Sequence, residues 1–231
     1  MIESKDNKKV KYARSLYMYK NRKKFNQFIV EGKKNIEIAK ATNSIDYILT
    51  TNPKLDGILI SENIMKSITS TVSNIDSVAV CNIPSIKSKC ERVLMLDDIQ
   101  DPGNLGTLIR SAVAFNFDTI ICSKNTVDYT NPKVVRASSG SIFLIKIIYD
   151  DLINAIKISS NKTIGTFVDG KNKLEKLDKF NLVIGNEGNG ISDEIRSLCD
   201  IKYRIEINEK LESLNAAIAG SIVMHQLGGK K

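Results

Sequence analysis

The stretch Asn181-Leu182-Val183-Ile184-Gly185-Asn186-Glu187-Gly188-Asn189-Gly190-Ile191-Ser192 constrains this chain more than any other. Leu182 to Ile184 reads as a buried strand. Three glycines and one carboxylate follow, and Ser192-Asp193-Glu194 then reads as a helix start, with a suitable N-cap and two acids at the positive helix end. Glycine lets the backbone turn through positive φ and approach a ligand closely. The expected unit is strand, ligand loop and helix. A β-hairpin competes with it, because Asn189-Gly190 is also the dipeptide of a type I′ turn. Ile191, Ile195 and Leu198, at helical spacing, favour the helix.

The rest of the chain alternates in the same way, which predicts an α/β fold. Strands are expected at Phe28–Glu31, Ile45–Thr50, Ile58–Ile60 and Ser77–Cys81, with helices over Lys33–Ala41 and Glu62–Ile68. Together they make a small domain over residues 1–81. Proline, serines and lysines interrupt the pattern at 82–91, the expected linker. A second domain, 92–231, opens with the strand Arg92–Leu96. Pro102-Gly103 then suits a type II turn, and Asn104 stands at the N-cap of a helix whose face is Leu105, Leu108, Ile109 and Ala112. Arg110 lies off that apolar stripe. Strands are expected further on at Thr119–Cys122, Ser141–Tyr149, Thr163–Val168 and Lys202–Ile207. Short helices are expected from Pro132 and over Asp151–Ile158, and a last helix rich in small residues from Ser213.

Of the 231 residues 42% are hydrophobic, and none of the apolar runs reaches the roughly 18 residues of a membrane span. The lysine-rich start is not followed by an apolar segment, so a soluble, unprocessed, cytoplasmic protein is expected. Cys81, Cys90, Cys122 and Cys199 form no CxxC pair, and a single histidine completes no zinc set. Reduced, buried thiols are expected.

The net charge of +8 is concentrated in residues 1–40, which hold 12 Lys+Arg and 4 Asp+Glu. A localised basic face attracts polyanions. Residues 8–24 read as one amphipathic helix, with Val10, Ala13, Leu16 and Tyr17 on one face. Lys11, Arg14, Lys20, Arg22, Lys23 and Lys24, interleaved with tyrosines, form candidate RNA-phosphate contacts that position without reading sequence.

Three other constellations are weaker. Gly185, Gly188 and Gly190 are spaced GxxGxG, the reverse of the dinucleotide fingerprint, although Glu206 imitates its acidic partner. Asp97, Asp98 and Asp101 spell DDxxD but flank a strand end and a turn, so no metal is assigned. His225 reads as a packing or solvent residue, which disfavours a histidine-based triad. There remain Asn104, Arg110, Glu187, Ser213 and Asn215, polar groups at strand-to-helix and strand-to-loop connections, where open α/β sheets hold their ligands.

At these residues the chain resembles the SpoU/TrmH family of the SPOUT superfamily, RNA ribose 2′-O-methyltransferases that use S-adenosylmethionine. The resemblance is carried by Asp101-Pro102-Gly103-Asn104-Leu105-Gly106-Thr107-Leu108-Ile109-Arg110-Ser111-Ala112, by Gly185-Asn186-Glu187-Gly188-Asn189-Gly190-Ile191-Ser192 and by Ser213-Leu214-Asn215-Ala216-Ala217-Ile218-Ala219. Pro132 to Gly140, with Arg136 as a further RNA contact, and Phe28-Ile29-Val30-Glu31-Gly32 extend it to nearly the whole chain.

The resemblance implies a small N-terminal α/β substrate-binding domain and a SPOUT-type α/β catalytic domain with a deep trefoil knot. It places the cofactor on Ile184, Gly185, Ile205, Ile207 and Leu214, and makes Asn104, Arg110, Glu187, Ser213 and Asn215 the catalytic set, with Glu187 orienting Arg110 or nearby backbone. It further implies a homodimer, which the small-residue last helix suits, and ribosomal RNA, chiefly large-subunit, ahead of transfer RNA. Two positions depart from the family pattern. Ile205-Glu206-Ile207 replaces Ile-Pro-Met, and Asn116 stands where glycine is frequent, a substitution that the left-handed tolerance of asparagine permits. A non-catalytic RNA-binding protein of the same fold and a nucleotide-dependent oxidoreductase are the alternatives.

Overall fold

The structure is a computed structural model that describes residues 1–69, 75–174 and 177–228. The chain divides into two compact units, one of residues 1–85 and 128–144, the other of 86–127 and 145–231.

In the first unit α1 (Lys8–Ser15) and α2 (Tyr19–Phe25) precede β1 (Gln27–Glu31), α3 (Lys33–Ala41), β2 (Ile45–Thr50), β3 (Ile58–Leu59), α4 (Glu62–Ile68) and β4 (Ser77–Asn82). The sheet order is β1-β4-β2-β3, with β4 antiparallel to both β1 and β2. Val10, Ala13 and Leu16 of the α1 region bury against Ile29, Leu49 and Ile64, as their spacing predicts.

Residues 8–24 do not form the single helix expected. The chain breaks at 16–18, and Arg22 bonds the carbonyls at the break. Its Nη1 donates to Leu16 O at 3.0 Å and Tyr17 O at 2.8 Å, taking up carbonyls that a continuous helix would pair internally. Its Nε and Nη2 donate to Asp128 Oδ2 at 3.0 and 2.6 Å, and Nε also to Thr130 Oγ1 at 3.1 Å. Arg22 is 4% exposed. The expectation that it contacts RNA is therefore corrected, because a buried guanidinium that makes five hydrogen bonds to four protein acceptors is turned away from any phosphate at the surface. Arg14, Lys20, Lys23 and Lys24 are exposed as expected, and Lys11 is exposed while pairing with Asp6 at 2.8 Å.

The second unit begins with β5 (Arg92–Leu96), α5 (Pro102–Ala114) and β6 (Thr119–Cys122). Asn116, just after α5, takes φ +61°, the left-handed conformation glycine would otherwise supply. The chain then returns to the first unit for α6 (Pro132–Ala137) and a 3-10 turn, Ser141–Phe143. There Phe143 stacks on Phe28 with ring centroids 5.6 Å apart. Arg136, exposed on α6, has Nη1 3.6 Å from Glu31 Oε2.

Back in the second unit follow β7 (Lys146–Tyr149), α7 (Leu152–Ile158), β8 (Lys162–Lys171), β9 (Phe180–Ile184), α8 (Asp193–Leu198), β10 (Ile201–Tyr203) and α9 (Ala216–Leu227). The expected strand Ser141–Tyr149 thus survives only in its second half. All six strands of this sheet, β10-β8-β9-β5-β6-β7, pair in parallel. Parallel sheets are covered on both faces, which accounts for the apolar runs Val93–Leu96 in β5 and Leu182–Ile184 in β9.

Helix α9 packs on α5. A Cβ at Gly220 would stand 2.5 Å from Leu108 Cδ2, and Ser111 and Ser221 share a hydroxyl hydrogen bond of 2.8 Å. Its small residues are explained by this intrachain contact. Cys81, Cys122 and Cys199 are buried free thiols, and burial pushes Cys199 up to about 11. Cys90 departs from the expectation and is exposed.

Candidate active site

The site grows from two neighbouring strand ends. β5 and β9 pair with Leu96 opposite Ile184, and the N–H of Asp97 donates to Ile184 O at 2.9 Å. Loops 97–101 and 185–192 therefore leave the carboxyl edge of the sheet side by side, where open α/β sheets bind ligands.

Loop 185–192 combines the two readings its sequence allows. Asn186 and Gly190 exchange backbone hydrogen bonds of 2.9 and 3.0 Å, closing a tight antiparallel turn before α8 begins. Inside it Asn186 Oδ1 accepts from the N–H groups of Gly188 and Asn189, while its Nδ2 donates to Asp98 O. Gly190 sits at φ +69°. A Cβ on Gly185 would lie 2.2 Å from Gly190 C, so no larger residue fits there without moving backbone. Ser192 precedes α8 as expected, but without a side-chain cap bond, and its N–H donates to Asp97 Oδ2 at 2.8 Å.

The first loop corrects the expected helix start. Asp101, not Asn104, is the N-cap: its Oδ1 accepts from the N–H of Asn104 at 2.8 Å, and Pro102-Gly103 form the first helical turn rather than a type II turn. Proline is suited to that first position because it lacks the N–H that would be unpaired there. Asn104 is thereby carried one turn inside, 9% exposed, with its side chain free to bridge.

It bridges the two other motifs. Asn104 Nδ2 donates to Glu187 Oε1 at 2.8 Å, and Asn104 Oδ1 accepts from Asn215 Nδ2 at 2.9 Å. Asn215 also caps α9, its Oδ1 accepting from the N–H groups of Ala217 and Ile218 at 2.9 and 3.2 Å. That cap starts the helix at Ala216, three residues later than expected. Glu187 further accepts the N–H groups of Gln100 and Asp101, each at 3.2 Å. Burial pushes its carboxyl up, but the Asn104 amide and these backbone donors outweigh it and hold the group below the usual value.

Arg110 stays outside this chain of bonds. It is exposed on α5 and, among the described residues, makes no hydrogen bond or ion pair, so Glu187 orients Asn104 and backbone rather than Arg110. Ser213 is also exposed. The DDxxD acids are each occupied structurally, Asp97 with Ser192, Asp98 with Ser123 and Asn125, and Asp101 with Asn104. His225 is exposed, with its ring edge-on to Phe115 at 5.4 Å.

Beside the bonded chain lies a cavity of about 670 Å³. Ile184, Gly185, Ile205, Ile207 and Leu214 all line it, together with Ser213 and Glu187. The strand expected over Lys202–Ile207 ends at Tyr203, because Arg204 makes the last sheet bond, to Lys171 O at 2.8 Å. Residues 205–207 thus leave the sheet as irregular chain, and Ile205 and Ile207 line the cavity. Sequence reasoning missed three further lining residues, Thr166, Phe167 and Val168. Phe167 is held by Arg196, whose guanidinium lies 4.5 Å from the ring centroid while bonding Asp169 at 2.5 Å.

Residues 91–225 match the SpoU rRNA Methylase family. The chain belongs to this family. This member is 31% identical to the 23S rRNA (guanosine(2553)-2'-O)-methyltransferase RlmP of Bacillus subtilis (strain 168), over 99% of each chain. It is similar to the AdoMet-bound rRNA methyltransferase of Sinorhizobium meliloti, with 26% identity, a TM-score of 0.87 and coverage of 98% of this chain and 96% of that one. It shares its fold with the SpoU methyltransferase AviRb of Streptomyces viridochromogenes, at 22% identity, a TM-score of 0.83 and 96% and 97% coverage. The protein is an RNA methyltransferase of SPOUT-type α/β fold. That class excludes the oxidoreductase reading and the non-catalytic one. Among the described residues no helix is long and apolar enough to cross a membrane.

Proposed function

We propose that this SpoU methylase transfers the methyl group of S-adenosylmethionine to a ribose 2′-hydroxyl of large-subunit ribosomal RNA, working in the cytoplasm as a homodimer with a knotted catalytic domain. The observation that carries the reading is the bonded chain Glu187–Asn104–Asn215, which ties all three motifs together beside one cavity. Its likeness to RlmP supports ribosomal over transfer RNA.

The residues present fit the cofactor. Gly185 lines the cavity and lets the Gly190–Ile191 backbone pack where a Cβ would stand, Ile184, Ile205, Ile207 and Leu214 supply apolar walls, and the irregular chain at 205–207 keeps backbone groups out of the sheet ladder. When bound, S-adenosylmethionine supplies an electrophilic methyl group on a sulfonium. The protein contributes position: the acceptor hydroxyl must lie in line with the bond that breaks, and fixed geometry is worth a large share of such a barrier.

Glu187 and Asn104 set the relative positions of loops 97–101 and 185–192. Asn215 holds the start of α9 to both, and Ser213 faces the cavity as a polar contact for the nucleotide. Arg110, without a hydrogen-bond or ion-pair partner among the described residues, holds the RNA phosphate and stabilises oxyanion character on the ribose oxygen. It does not act as the base, since guanidinium does not deprotonate in proteins. Lys11, Arg14, Lys20, Lys23, Lys24 and Arg136 of the first unit grip RNA phosphates without reading sequence.

Transfer of labelled methyl to total RNA, followed by nucleoside analysis, tests the reading. Wild type yields a 2′-O-methylated nucleoside and Glu187→Ala yields far less. Label on a base instead of ribose would overturn the assignment.

A further inference from the structure

The helix α2 is built inside out. Its one buried side chain is Arg22, while Tyr19 is 56% and Phe25 40% exposed, and Met18 just before it 56%. Among the described residues, three of the ten exposed large hydrophobic ones therefore fall within eight positions, among Lys20, Lys23 and Lys24. A helix stabilised by packing turns its aromatics inward. Here the bonds from Arg22 to Leu16, Tyr17, Asp128 and Thr130 take the inward position and hold the aromatics out.

The two exposed rings differ. Phe25 is already engaged, 5.2 Å from the Tyr12 ring and 5.2 Å from Lys24 Nζ. Tyr19 has the buried Arg22 guanidinium 5.9 Å from its centroid, at the outer reach of a cation–π contact. A cation against one face draws electron density through the ring and leaves the opposite face suited to an electron-rich partner. A nucleobase is such a partner, and Lys20 and Lys23, exposed on the same helix, are within reach of its flanking phosphates.

We infer that Tyr19, backed by Arg22, is a stacking platform for an unpaired nucleotide of the RNA substrate, with Lys20, Lys23 and Lys24 holding the adjoining backbone. The inference rests on the RNA methylation reading and narrows its substrate to RNA that presents single-stranded nucleotides to this surface. Duplex RNA hides its base faces and gains only the phosphate contacts.

Anisotropy titrations of the full chain with a labelled single strand of roughly ten nucleotides and with a duplex of the same sequence decide it. Tyr19→Leu should weaken single-strand binding roughly tenfold, the typical loss of one base–aromatic stack, with duplex affinity unchanged. Tyr19→Phe, which keeps the ring, should restore the single-strand affinity. Lys23→Ala should lower both affinities and reduce the salt slope by about one, a signature Tyr19→Leu should lack. Thermal unfolding of Tyr19→Leu at the wild-type temperature shows that α2 is intact. Equal binding by wild type and Tyr19→Leu, or equal loss on both RNAs, overturns the platform.

Methyl-transfer assays separate this outcome from the functional reading. If wild type transfers methyl and Tyr19→Leu raises KM for RNA with kcat held, both stand. An unmoved KM removes the platform alone, whereas a wild type that methylates no RNA removes the functional reading, whatever the oligonucleotides show.

Discussion

The two units of this chain solve the same task, holding loops and helices at the edge of a sheet, by opposite means. The first unit carries 16 Lys+Arg against 9 Asp+Glu and fixes its basic helices through one buried guanidinium with a carboxylate partner. The second carries 18 against 17 and fixes its loops through carboxylates, Asp97 and Glu187 among them, whose partners are neutral backbone and amide N–H groups. On the function proposed above, the difference follows from what each surface meets. A polyanion is gathered by excess charge, and an internal anion such as Asp128 keeps Arg22 out of that field. A cofactor cavity needs exact backbone placement, which neutral amides provide without the desolvation cost of paired charges. The largest expected effects therefore separate cleanly between the units.

Gly185→Ala should be the most severe change in the second unit. Its Cβ would stand 2.2 Å from Gly190 C and 2.3 Å from Ile191 N, both backbone, so the loop itself must shift. Calorimetric titration should find S-adenosylmethionine binding lost, while single-stranded RNA still binds with wild-type affinity. Loss of both together would break the comparison, because the units would then not be independent in function.

The counterpart in the first unit is Arg22→Met. Removing the cation leaves Asp128 without its partner and two backbone carbonyls unpaired, a cost of about 3 kcal/mol for a largely buried pair. Denaturant unfolding should show that loss, with RNA affinity reduced and cofactor affinity unchanged. Full stability in Arg22→Met would show that the 16–18 break does not depend on this side chain.

A subtler test lies in Asn215, which both caps α9 and bonds Asn104. Asn215→Ser retains a good N-cap but cannot span to Asn104 Oδ1, so it cuts the chain of bonds alone. Turnover should fall roughly tenfold, with unfolding shifted by less than about 1 kcal/mol. Unchanged kcat would make the Asn104–Asn215 bond a structural detail.

Much of this architecture was readable from the chain, and the failures share a cause. β2, β5, β6, α3 and α4 lie where their β-branched runs and helical spacing put them, because those signals are local. Local competition misled at α5: Asp101 and Asn104 are both good caps, and Pro102 decides for Asp101 because proline belongs at the first helical position. Arg22 carries no local sign of burial. Its partner Asp128 is 106 residues away, and its neighbours on both sides are solvent-facing lysines and an asparagine. Of the residues expected at the site through family resemblance, Ile184, Gly185, Ile205, Ile207, Leu214, Glu187 and Ser213 line one cavity. Asn104 and Asn215 reach it only through Glu187, and Arg110 does not line it; the Asn104 bridge required the helix start to be known first. Phe167 in the cavity lining comes from a strand whose sequence offers no motif.

The smallest effect expected concerns Glu187, and it tests whether one carboxylate among amides matters to the second unit as a charge. Its hydrogen bonds from Asn104, Gln100 and Asp101 hold its pKa below the ordinary 4.5 despite partial burial. A depressed carboxyl favours the folded loop fully above the ordinary value and loses that contribution as pH falls through the lower folded value. Stability should thus be level in this respect from neutrality to about pH 5 and fall in more acid solution. Glu187→Gln keeps an oxygen for the Asn104 amide but cannot titrate. Its melting temperature should be slightly below wild type at neutral pH and should converge on it below the ordinary carboxyl range. Parallel acid profiles for the two proteins would mean that the carboxylate serves these loops only as a neutral acceptor would.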